Sequence, residues 1–130
     1  KATSNICTNQ GLMVIAATMY MAIMGPEGLQ RVAGHCHANA KLLREALAKL
    51  DGVEAACDGP FFHEFVLRLE GKKASEVLGT LANEHGILGG LALESYYPEL
   101  GNALLVCSTE IHADEDRDTF VKAFDESLKA

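Results

Sequence analysis

Residues 53–69 read VEAACDGPFFHEFVLRL, and this stretch decides the fold. Phe65, Leu67 and Leu69 alternate with Val66 and Arg68, the period of two that sends successive side chains to opposite faces of a strand. Gly59-Pro60 stands between that run and the one from Val53 to Cys57, and such a pair marks a turn. The spacing predicts a hairpin, Val53 to Cys57 followed by Phe62 to Leu69, in a half-buried antiparallel sheet.

Upstream, the period changes. Leu29, Val32, Ala33, Cys36, Ala40, Leu43, Leu47 and Leu50 recur at steps of three and four, the stripe of an amphipathic helix, and Gln30, Arg31, Lys41, Arg44 and Lys49 take its other face. Pro26 suits the first position of that helix. Gly25-Pro26 also ends an earlier helix, Asn9 to Met24, which is apolar nearly all round and is therefore expected to be largely buried, against protein beyond this chain. Downstream, Ala74 to His85 has Val77, Leu78, Leu81 and Ala82 at helical spacing and stops at Gly86, a fitting residue just past a helix end. A brief strand near Ile87, a Gly- and Tyr-containing loop, a strand from Ala103 to Cys107 and a helix from about Asp114 complete the chain. The order α-α-β-β-α-β-β-α predicts an α+β domain, a small antiparallel or mixed sheet with helices packed on one face.

At 130 residues and 48% hydrophobic, the chain suits a single domain, 1–130, with a modest core. A net charge of −7, with no basic run longer than Lys72-Lys73, excludes nucleic acid as the main partner. Leu12 to Met24 is shorter than the roughly 20 residues a membrane span needs, so no membrane association is expected. Cys7, Cys36, Cys57 and Cys107 lie in apolar or helical settings and read as reduced thiols of a cytoplasmic protein. A chain that opens at Lys1, inside a motif, is expected to be a piece of a longer one.

Few side chains offer chemistry. His35-Cys36-His37 are consecutive on a helix, so they project about 100° apart and cannot converge on one ion; Cys36 is assigned to the core and the histidines to the surface. No H-x-x-x-H or C-x-x-C spacing occurs, and no metal site is expected. His63 and Glu64 are adjacent in a strand and should face opposite sides, which argues for a structural or interface role. Cys57 and Cys107 end strands without a nearby cation to lower a thiol pKa and read as small core residues. The Tyr96-Tyr97 loop suits either a partner surface or a cover for the sheet edge. At the start, Thr3, Ser4, Asn5, Cys7, Thr8 and Asn9 crowd ahead of a helix. One or two of these can cap it. Six also suit an anion such as phosphate, because free N–H groups and the positive end of the helix dipole point there.

The segments KATSNICTNQ, MYMAIMGPEGLQRVA, PFFHEFVL and YYPELGNALLVCSTE resemble the C-terminal part of the glycine decarboxylase family, the P-proteins of the glycine cleavage system, and within it subunit 1 of the two-subunit bacterial form. The resemblance covers nearly the whole chain. It implies the small C-terminal domain of a fold-type I pyridoxal-phosphate enzyme, a glycine dehydrogenase (aminomethyl-transferring) acting in glycine catabolism as a heterotetramer. In such an enzyme pyridoxal phosphate is the electron sink for decarboxylation, and the aminomethyl group passes to the lipoyl arm of the H-protein. The implied partners are glycine decarboxylase subunit 2, which carries the Schiff-base lysine, and the lipoylated H-protein. Asn5, Cys7 and Thr8 are then the residues implied on the cofactor-phosphate side, contributed across the subunit interface, with no catalytic residue of this chain's own and no activity in isolation. The rival reading is a stand-alone regulatory or protein-interaction α+β module.

Overall fold

The computed structural model describes residues 10–130. They form two compact units, residues 10–34 and His35–Ala130. The first consists of the greater part of helix α1 (Gln10–Leu47). Its backbone leaves helical geometry at Gly25 (φ 60°, ψ −180°), at the break the sequence predicts. Pro26 excludes the α conformation from the residue before it, and a positive φ there is open to glycine without a Cβ clash.

Among the described residues the apolar run upstream of Gly25 is not buried, as the expectation of cover from protein beyond this chain requires. Leu12, Met13, Val14, Ile15, Met19 and Met21 are each more than half exposed, and Ile23 reaches 82%. A helix apolar on every side needs protein on more than one side of it, and the described residues do not provide that cover. By length and composition α1 is also apolar enough to cross a membrane, although the break at Gly25-Pro26 divides it.

The second unit begins with the last part of α1, which buries Cys36, Ala40, Leu43 and Leu47 at steps of four, three and four. Strands β1 (Val53–Ala55) and β2 (Glu64–Leu69), helix α2 (Ala74–His85), the two-residue β3 (Leu91–Ala92), a 3-10 turn at Pro98–Leu100, β4 (Ala103–Cys107) and helix α3 (Asp114–Lys129) follow. The sheet has the order β1-β2-β4-β3 and is antiparallel throughout. The hairpin forms as expected, with Val53 opposite Leu69 and Ala55 opposite Leu67. On one face Phe65, Leu67 and Leu69 of β2 join Leu104 and Val106 of β4, and against them pack Leu43 and Leu47 of α1, Val77 and Leu81 of α2, and Ala123 and Phe124 of α3. This is the α+β layer arrangement, with helices on one face of the sheet.

The strand expected near Ile87 starts later. The Gly86 and Ile87 N–H groups both return to the Leu81 carbonyl, so Ile87 still terminates α2 and the ladder opens only at Leu91. Between them, a Cβ on Gly90 would lie 2.2 Å from the Leu105 carbonyl oxygen, and only glycine lets the chain pass that close. The start of α2 is closed from elsewhere in the chain. Asn102 Oδ1 accepts from the Ala74 N–H at 2.8 Å, while its Nδ2 donates to the Leu69 and Lys72 carbonyls at 2.9 and 2.8 Å. One amide thus joins the end of β2, the entry to α2 and the entry to β4.

Candidate functional site

Asn5, Cys7 and Thr8, the residues expected on a phosphate, lie outside the described residues, as does Lys1. Within His35–Ala130 the polar side chains converge where the last part of α1, the start of β2, the end of β4 and the loop from β4 to α3 meet. Their placement follows from strand register. Glu64 lies directly opposite Cys107, and both point to the face away from the buried Phe65–Val106 pair. The His63 carbonyl accepts from the Ser108 N–H at 3.0 Å, which extends the pairing one residue beyond β2.

His63 was expected to face away from Glu64, and that is corrected. It precedes the regular strand, its ring meets Phe62 edge-on with centroids 4.7 Å apart, and a ring nitrogen, a Glu64 oxygen and the Cys107 sulfur all lie within 4.8 Å of one another. Alternation applies only inside the ladder. Nδ1 of His63 is buried without a hydrogen-bond partner. Cys57 and Cys107 were assigned to the core, and both are exposed. Cys57 lies past the end of β1, where its carbonyl accepts from Arg44 Nη2 at 2.7 Å, and Cys107 ends β4 on the solvent side. Partial desolvation at the strand end, then the neighbouring Glu64 carboxylate, push the Cys107 thiol above its ordinary value.

Cys36 is buried as expected, and its Sγ donates to Glu110 Oε2 at 3.0 Å. Burial, with the help of that bond, pushes the Cys36 thiol up, and the same bond holds Glu110 below the usual carboxylate range. The proton therefore stays on sulfur, and Cys36 is a structural donor rather than a nucleophile. Asn39 Nδ2 donates to the Thr109 and His112 carbonyls, each at 2.9 Å. His112 Nδ1 in turn accepts from the Thr109 N–H at 3.0 Å. Neither Asn39 nor Glu110 was singled out from the sequence, because each pairs with residues some 70 positions away and no local period marks such a contact.

His35 and His37 are exposed, and His37 Nδ1 lies 3.1 Å from the Phe62 carbonyl. Arg68 reaches Glu54 at 2.8 Å across the hairpin. Tyr96 and Tyr97 are exposed. A cleft of about 500 Å³ opens beside the cluster, lined among others by Ile87, Cys107, Ser108, His112, Arg117 and Phe120.

The described lysines do not fit a Schiff base. Lys41, Lys122 and Lys129 pair with Glu45, Glu126 and Asp125 on helix surfaces, Lys72 donates to the Ser127 carbonyl, and Lys49 and Lys73 are exposed.

Residues 1–124 match the family described as "Glycine cleavage system P-protein". A probable glycine dehydrogenase (decarboxylating) subunit 1 of Methylococcus capsulatus is 58% identical over 129 residues, 99% of this chain and 28% of that protein. The corresponding protein of Nitrosomonas europaea is 55% identical over 130 residues, again 28% of its length. The crystal structure of a glycine decarboxylase (P-protein) in inhibitor-bound form superposes with a TM-score of 0.82 at 36% identity, covering 98% of this chain and 28% of that one. An L-threonine-O-3-phosphate decarboxylase from Porphyromonas gingivalis shares the fold, with a TM-score of 0.65 at 20% identity over 88% of this chain and 33% of its own. This chain thus spans little more than a quarter of the length of these subunit 1 relatives. Sequence and fold agree along almost its entire length, and the chain belongs to the glycine cleavage system P-protein family.

Proposed function

We propose that this chain is the small C-terminal domain of subunit 1 of a two-subunit glycine decarboxylase, a cytoplasmic enzyme that releases CO2 from glycine and passes the aminomethyl group to a lipoylated H-protein. The observation that carries this reading is the 58% identity, over 129 residues, to a probable glycine dehydrogenase (decarboxylating) subunit 1. A stand-alone module gains no comparable support, since the similarity runs with part of a much longer protein.

Pyridoxal phosphate, the cofactor this reading requires, supplies an electron sink for the carboxylate-losing carbon. In this reading subunit 2 provides the Schiff-base lysine. No step is derived through the cofactor from these residues. This chain's own part is to hold the sheet and helices of the small domain and to offer Asn5, Cys7 and Thr8, ahead of the start of α1 at Gln10, to the cofactor phosphate. A hydroxyl at Thr8 donates well to a phosphate oxygen, and a thiol at Cys7 donates weakly.

Reconstitution tests the reading. Full-length subunit 1 mixed with subunit 2, pyridoxal phosphate and lipoylated H-protein should release CO2 from glycine, and omission of either subunit should abolish release. Unchanged turnover by subunit 2 without subunit 1 would overturn the proposal.

A further inference from the structure

We propose that His63, Glu64 and Cys107 form a binding site for a borderline-soft divalent metal ion, Zn²⁺ being the ion their donors fit best. The three ligand atoms already lie within 4.8 Å of one another. Zinc bonds of about 2.0–2.3 Å place tetrahedral ligands roughly 3.3–3.7 Å apart, so closure requires each side chain to move by about an ångström or less. Glu64 and Cys107 are exposed and free to turn. Their backbones are fixed as a cross-strand pair, and that of His63 by the bond from Ser108.

The donor set selects the metal. A thiolate with an imidazole suits zinc and other late transition ions, whereas magnesium and calcium prefer oxygen ligands alone. His63 adds a second, independent observation. Its Nδ1 is the one buried side-chain polar atom among the described residues that lacks a hydrogen-bond partner, and burying such a group alone is unfavourable. A cation coordinated at that nitrogen would supply the missing partner. On coordination the Cys107 sulfur binds as thiolate with release of its proton. Three protein ligands leave a fourth position for water, next to the cleft that Cys107, Ser108 and His112 line.

Full-length subunit 1, stripped of metal with a chelator, is titrated with Zn²⁺ against a chromophoric competitor and separately with Co²⁺. Wild type should take up one more equivalent of zinc than Cys107→Ser or His63→Gln, or bind it at least about tenfold more tightly. It should also show a sulfur-to-cobalt charge-transfer band that Cys107→Ser lacks. Equal stoichiometry and affinity in all three proteins, or a band that persists in Cys107→Ser, would overturn the site. A variant-free measurement guards against misfolding. Site-resolved alkylation of wild type should slow at least about tenfold at Cys107 when Zn²⁺ is added, while exposed Cys57 reacts at an unchanged rate. Alkylation of Cys107 that ignores zinc rejects the proposal.

Discussion

Asn102 makes three hydrogen bonds with a single side chain, and nothing else caps α2, since Lys73 makes no side-chain cap bond. Asn102→Ala should destabilise the fold by about 2–3 kcal/mol, each net bond contributing about 1 kcal/mol. Glu84→Ala, at an exposed helix position, should stay within about 0.5 kcal/mol; urea unfolding of both variants measures the contrast. The Cys36–Glu110 pair contributes at both ends of the pH profile. Glu110 titrates below its ordinary 4.5 in the folded chain, so its contribution is complete above that pH and is lost as pH falls through the depressed value. Cys36 titrates above its ordinary 9.0, so its contribution is complete below that pH and is lost as pH rises towards the raised value. In unfolding midpoints measured against pH, Glu110→Gln should flatten the acid side and Cys36→Ser the alkaline side. In the proposed two-subunit enzyme, Thr8→Ala should weaken cofactor retention about tenfold to a hundredfold, the worth of a charge-assisted hydrogen bond, and equilibrium dialysis of the cofactor against Glu84→Ala as a control checks it.

At the scale of elements, local signals were legible wherever one period ran unbroken. Ala74–His85 and Ala103–Cys107 stand where the spacing puts them, and in β2 buried Phe65, Leu67 and Leu69 alternate with half-buried Val66 and Arg68, as predicted. Legibility failed where a neighbour distant in sequence decides the outcome. Cys107 is an exposed strand end because of which face Glu64 occupies across the ladder, and His63 joins Glu64 because the strand has not yet begun. The candidate cluster was hidden for the same reason, Cys107 standing 43 positions from Glu64 and 44 from His63. The upstream part of α1 poses the reverse problem, since its composition was read as needing cover that the described residues do not provide. The 130-residue chain should bind a hydrophobic dye or dimerise as its concentration rises. Replacing Ile15, Met19 and Ile23 together by Gln should suppress this. A wild-type chain that stays monomeric and dye-free would mean that the helix finds its cover elsewhere.

For the molecule as a whole, a chain spanning 28% of its subunit 1 relatives is expected to fold without performing their reaction. Incubated with pyridoxal phosphate, the 130-residue chain should give no stoichiometric adduct that borohydride can trap and no glycine-dependent CO2, with peptide mass mapping of its lysines as the check. The sheet order carries a consequence for synthesis. Strand β2 sits between β1 and β4, so one of its ladders closes at once and the other must wait until α2 and β3 have been made. The cap on Ala74 arrives with Asn102, 28 residues later. A ribosome that has released β2 and α2 but not β4 holds an open strand edge beside an uncapped helix. Those are two sets of unsatisfied backbone groups, and each gives a chaperone something to hold. The arrival of six residues, Asn102 and then Ala103–Cys107, closes both.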